Sequence, residues 1–203
     1  MYQENGIIFM VQTPQAPVNY FSFADYYAYD DGTGNRYELV DGELVLMPPE
    51  SIFNSDVSMR LLLELAKIVP LYLLKYKEIM IEVSGRRAKV RIPDLLVLGE
   101  ECRAALETTN RGTITHEMPP PLIAIEVVSP GTENEVRDYR FKRSEYAARG
   151  IAEYWIVDPV QNKITVLSLV EGFYEEFTYA GDDLIKSAVF PEIEIKVSDI
   201  LIP

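Results

Sequence analysis

Apolar and polar positions alternate with a period of two through most of this chain and shift to a helical period in two segments. "RYELVDGELVLMPP" (36–49) sets two alternating arms around Asp41-Gly42, a two-residue turn signal, and predicts a hairpin. Before it, "SFADYYAYD" opens on Ser22, a fitting N-cap for a short helix. Residues 51–75 carry the longest helical stripe, Val57, Leu61, Leu65 and Ile68 with Leu62 widening it, and Pro70 must kink or divide it. "EIMIEVS" and "KVRIPDLLVLG" predict two strands joined through Ser84-Gly85-Arg86-Arg87, and residues 99–118 a loop with one helical turn. "PLIAIEVV" is β-branched, almost wholly apolar and closed by Ser129-Pro130-Gly131, as befits a strand buried on both faces. "EVRDYRFKRSEYAARG" predicts a helix over 138–149 that ends at Gly150. "AEYWIVD", "KITVLSLV", "GFYEEFTYA" and "IEIKV" predict further strands. The unit 121–128, 138–149, 153–158 is a strand–helix–strand crossover, so the class is α/β or α+β, a mixed central sheet flanked by helices with additional strands at both ends. Residues 1–19 hold two prolines and few periodic apolar positions and read as an arm; 20–203 read as one domain.

Two acids break this pattern. Glu126 is the one ionisable residue inside its apolar strand, and Asp94 is the only acid in "RIPDLLVL", just after a proline that interrupts the ladder. A bare buried carboxylate is costly, so each needs a partner. If the two meet, one stays protonated or both bind a cation, and an oxygen-only set favours Mg²⁺, Mn²⁺ or Ca²⁺ over zinc. On the following helix Lys142 interrupts an aromatic stripe formed by Tyr139 and Tyr146. It either reaches toward those acids or a phosphate, or snorkels past the tyrosines to solvent; Asp138, one turn earlier, is a competing partner.

The formal net charge of −13 argues against a broad, non-specific hold on nucleic acid. It leaves room for a local basic groove, with two clusters as candidates: Arg86, Arg87, Lys89 and Arg91, then Arg137, Arg140, Lys142 and Arg143. Both also read as solvated faces that balance nearby acids. One cysteine, Cys102, excludes an internal disulfide framework and reads as an apolar filler. No apolar run is long enough for a membrane span and no secretory signal is evident, which makes a cytoplasmic location the expectation. Tyr154 and Trp155 read as core, and His116 as an exposed loop residue.

The ordered set "FADYYAY", "RYELVDGELVLMPP", "IPDLLVL", "IAIEVVSPGT", "RDYRFKRSEYAARGIAEYWIVDP" and "VFPEIEI" resembles the Uma2-type nucleases of the PD-(D/E)XK superfamily over nearly the whole chain. The resemblance implies a restriction-endonuclease-like core and Mg²⁺-dependent (or Mn²⁺-dependent) endonuclease hydrolysis of DNA. It implies Asp94 and Glu126 as metal ligands, Lys142 as the catalytic lysine, Glu38 in support, and Arg140 and Arg143 toward the substrate. A homodimer is the matching assembly, since a duplex has two strands to cut. Two positions depart from the family pattern. Val128 stands where the superfamily's lysine normally sits, and Asn54 stands near the histidine that many relatives carry. These departures keep open a second reading, a weakened or inactive nuclease-fold protein with a binding or regulatory role. A third is an interaction module whose acids are merely salt-bridged.

Overall fold

The computed structural model describes residues 20–202 apart from positions 48, 86 and 110. The arm at 1–19 lies outside them, as do Pro48 and Arg86. Ser22 caps α1 (Phe23–Ala28) as its position suggests: its Oγ accepts the Asp25 N–H at 3.1 Å and its own N–H donates to Asp25 at 2.9 Å. β1 (Tyr37–Val40) and β2 (Glu43–Leu46) form the expected hairpin. Asp41 and Gly42 turn it with φ of 51° and 79°, the left-handed pair that matches strand twist.

α2 (Ile52–Leu65) starts at Ser51, whose Oγ accepts the Asn54 N–H, and buries Val57, Leu61 and Leu65. Each such side chain contributes roughly 1.5–3 kcal/mol. The helix is shorter than its stripe suggests. Past Pro70 the chain makes a single 3₁₀ turn (Leu71–Leu73) and then becomes β3 (Leu74–Tyr76), because those residues find a strand partner in β6 (Leu95–Val97). β4 (Met80–Glu82) pairs antiparallel with β5 (Ala88–Arg91), as expected.

The segment read as one strand, 89–99, is two. β5 and β6 belong to different sheets, and Ile92-Pro93-Asp94 is the crossing between them. Proline cannot donate to a ladder, so the break falls there. The expected loop at 99–118 holds more order than predicted. α3 (Glu100–Glu107) buries Cys102 and Leu106 one turn apart, and β7 (Thr113–Ile114) pairs parallel with β4. β8 (Ile123–Val127) is buried throughout.

The next helix begins earlier than expected, as α4 (Thr132–Val136), passes through a π-helical stretch (Arg137–Lys142) and continues as α5 (Arg143–Arg149). It ends at Gly150, φ 80°. β9 (Glu153–Asp158) returns parallel to β8, and β10 (Lys163–Val170) and β11 (Phe173–Ala180) extend the sheet. The strand expected at 193–197 is absent: that segment makes one bridge, Leu184 to Lys196, and then enters α6 (Val197–Ile200). Ile193, Ile195 and Val197 are buried, so their alternation satisfies the core without a ladder.

The result is an α+β fold with two mixed sheets, β2-β1-β5-β4-β7 and β11-β10-β9-β8-β6-β3. One buried cluster joins side chains of both, from Ile81, Val83 and Ala88 to Ile125 and Trp155. Tyr154 and Trp155 lie in this core and His116 is exposed, as read. Among the described residues no helix is long and apolar enough to cross a membrane.

Candidate active site

The register of β6 against β8 pairs Leu95 with Ile125, which sets Asp94 beside Glu126 at the next rung. Asp94 is held there by the Val127 N–H, which donates to Oδ2 at 2.7 Å, while Oδ1 faces the Lys77 ammonium at 3.4 Å. Lys77 also pairs with Glu50. Its φ of 53° turns the chain at the end of β3.

Glu126 is 3% exposed. Its Oε2 accepts from Lys142 Nζ at 2.8 Å and its Oε1 from the Tyr146 hydroxyl at 2.7 Å. Asp138 and Lys142, one turn apart, are the buried residues of the π-helical stretch. Lys142 is 2% exposed, and its ammonium lies 3.1 Å from Asp138 Oδ1. It does not snorkel. Nor does Asp138 compete with Glu126 for it, since the ammonium bridges both carboxylates. Arg137 braces Asp138 from the other side, with Nε at 3.0 Å.

The electrostatics follow from this packing. Burial pushes the Glu126 carboxyl up to about 7; Lys142 opposes the shift, and Asp94 and Asp138 add to it. Burial also works on Asp138, but Lys142 and Arg137 outweigh it and hold that carboxyl below its ordinary range. Lys142 itself is raised, because the pull of Asp138 and Glu126 exceeds the cost of burial. Lys77 is lowered, chiefly by burial. In a neutral, ligand-free site the favoured arrangement is thus an ionised Asp138 bound to Lys142⁺, with Glu126 close to sharing a proton.

Asp94, Glu126 and Lys142 line one cavity of about 510 Å³. Glu50, Lys77, Arg36 and Arg137 line it too. Of these four, sequence reading selected only Arg137, as one member of a candidate basic cluster. Lys77 falls between the helix expected at 51–75 and the strand expected from Glu78, where no local pattern marks it. The remaining sequence candidates lie elsewhere. Glu38 bonds Arg91 Nη1 at 2.7 Å and the Ile92 N–H at 3.2 Å, and lines an adjoining cavity instead. Arg91 is clamped in turn by Glu145 at 2.8 Å. Arg143 reaches β11, bonding Glu176 and the Tyr174 carbonyl, and Arg140 is exposed outside this lining. Asn54 is buried and donates to the Val128 carbonyl and Ser129 Oγ, both at 3.4 Å, so it ties α2 to the end of β8. Among the described residues no three acidic, histidine or cysteine side chains are already gathered as a metal cluster. The donor types nevertheless suit a hard cation: Asp94, Glu126 and Glu50 offer only oxygen to one cavity.

Comparison with known proteins agrees with this architecture. The profile of the family described as "Uma2: Putative restriction endonuclease" matches residues 23–198. A solved crystal structure described as "a putative nuclease belonging to DUF820 from Anabaena variabilis" superposes with a TM-score of 0.62 at 15% identity. The match covers 88% of this chain and 96% of that one, a likeness of fold. No curated protein matches.

Proposed function

Because this chain belongs to the Uma2 family, we propose that it is a nuclease hydrolysing DNA phosphodiester bonds, with Asp94 and Glu126 as the ligands of Mg²⁺ or Mn²⁺. The observation that carries the reading is a convergence: Asp94, Glu126 and Lys142 come from three separate segments and line one cavity. A divalent ion bound to those carboxylates supplies charge neutralisation at the phosphate and a more acidic water.

The protein's own groups do the rest. Lys142, fixed by Asp138 and Glu126, keeps a cationic donor on the cavity wall where charge develops during attack on phosphorus. Asp138 and Tyr146 position Lys142 and Glu126. Arg36, Lys77 and Arg137 offer the walls of the cavity to the phosphate oxygens. Lys77 leaves Asp94 Oδ1 for the substrate phosphate in this reading.

The test is nicking of supercoiled plasmid in Mg²⁺, Mn²⁺ or EDTA. Wild type is expected to cut only with the metal, and Asp94→Asn and Glu126→Gln to lose at least about a hundred-fold while keeping their circular dichroism. One observation favours the second reading, a binding protein on a nuclease scaffold. Glu126 already has both oxygens engaged by Lys142 and Tyr146. Wild-type protein that cuts no DNA with either ion decides for that reading.

A further inference from the structure

The catalytic cavity does not end at its own walls. Leu46, Met47, Asn134 and Arg137 line both it and a second cavity of about 530 Å³, so the two are arms of one groove. The second arm has a different character. Its walls carry Val40, Val45, Val136 and Phe141, and Val45, Leu46 and Val136 are 43%, 51% and 39% exposed. Among the described residues none covers them. The volume is that of a site for a small organic group.

The charges of this arm select its occupant. Arg91 is paired with Glu38, Arg87 with Asp41 at 2.7 Å, and Arg137 with Asp138. Each cation is balanced by an acid, so the arm offers little to a second phosphate. What remains is apolar wall and a stacked pair: the Arg87 guanidinium lies 5.1 Å from the centroid of the Phe141 ring. Such a pair accepts a further flat, neutral ring on its face. Phe141 directly precedes Lys142 in the chain, so the platform and the catalytic lysine are carried by the same π-helical turn.

We propose that this arm takes the nucleobase next to the scissile phosphate, held out of the helical stack, and that the protein therefore acts on unpaired DNA in preference to duplex. The inference rests on the phosphodiesterase reading above. A base paired inside a duplex cannot lie against Phe141 without being extruded, which costs unstacking energy that a single strand does not pay. The net charge points the same way. A net charge of −13 disfavours a broad electrostatic grip on a duplex backbone, so affinity comes from a local groove.

Three substrates separate the possibilities, each assayed with Mg²⁺ and Mn²⁺: bis(p-nitrophenyl) phosphate, a single-stranded DNA oligomer, and the same oligomer in duplex. Wild type is expected to cut the single strand at least about ten-fold faster than the duplex. Phe141→Ala is expected to lower the ratio of oligomer to small-diester cleavage roughly ten-fold, within the range for loss of one base–aromatic stack. Val45→Ser, a change on the exposed edge strand β2, should move that ratio in the same direction. Abasic nucleotides in the oligomer should slow wild type and leave Phe141→Ala indifferent. An unchanged ratio in both variants, or a duplex cut as fast as the single strand, overturns the inference while leaving the nuclease reading intact. Failure of wild type to hydrolyse even the small diester brings down the catalytic reading instead. The arm is then judged by fluorescence anisotropy in EDTA, where equal affinity for intact and abasic oligomers overturns it.

Discussion

Lys142 is where most of the site's energy is concentrated. It neutralises two carboxylates that are almost fully buried, Glu126 and Asp138. Removing one partner of a buried ionic group leaves an uncompensated charge, so Lys142→Met should cost about 3–5 kcal/mol by urea unfolding in EDTA. Glu126→Gln should cost less, because the carboxamide oxygen still accepts from Lys142 and the Tyr146 hydroxyl can turn to accept from the amide N–H. The same pair of proteins tests the protonation of Glu126. Its folded pKa is raised to about 7 from an ordinary 4.5, so the native state holds a proton that the unfolded state has released between those values. The stability this contributes is complete below pH 4.5 and is lost as pH rises through about 7. Wild type should therefore lose stability relative to Glu126→Gln across that window in metal-free buffer; parallel curves would exclude the assignment. At this scale the sequence was informative for a physical reason. A carboxylate in an apolar strand is conspicuous, so Asp94 and Glu126 stand out directly, whereas the aromatic stripe around Lys142 fits a snorkelling lysine equally and only the neighbouring acids point it inward. Lys77 and Glu50 stand among polar neighbours, and nothing local marks them.

The elements present these groups through three irregularities rather than through regular structure. The break at Pro93 releases Asp94 from the ladder, the π-helical turn carries the buried Lys142, and the tight β1–β2 turn precedes the strand whose end, Leu46 and Met47, walls the cavity. The turn offers the cleanest test. A Cβ on Gly42 would stand in a left-handed backbone and 2.6 Å from the Tyr20 ring. Gly42→Ala should destabilise the fold by about 1–3 kcal/mol in thermal or urea melts. A change below about 0.5 kcal/mol would mean the hairpin is not held in this geometry. Legibility follows the same division. The hairpin, the start of α2, β8 and β9 each obey a local pattern, and each was readable. β3 was mistaken for helix because Leu71, Leu73 and Leu74 suit either period, and only a distant partner, β6, decides between them. The split of 89–99 into two sheets was half visible: proline announced a break in the ladder, but not that the chain changes sheets. The π turn has no sequence signature of its own, since residues 137–142 read as ordinary helix.

For the molecule as a whole, charge and site pull in opposite directions. An acidic protein must bind a polyanion through a few placed cations while the rest of its surface repels it. Arg36, Lys77, Arg137 and Lys142 line the cavity, and three of them are already paired with acids, Lys77 with Glu50, Arg137 with Asp138 and Lys142 with Glu126. Few counterions are then displaced on binding. For a single strand each neutralised phosphate contributes about −0.7 to the slope of log affinity against log salt. Two to four effective contacts predict a slope between about −1.4 and −2.8, measured by anisotropy with a labelled DNA oligomer in EDTA from low to moderate KCl. Among the described residues Arg36 bonds the Lys77 carbonyl and no acid, so its charge is the most available of the four. Arg36→Ala should flatten the slope by about 0.7, and Lys77→Met by less, because that ammonium is already paired with Glu50 and Asp94 and neutralises little phosphate. A wild-type slope steeper than about −5 would require many more phosphate contacts than this groove can make, and would place the nucleic acid on another face of the protein.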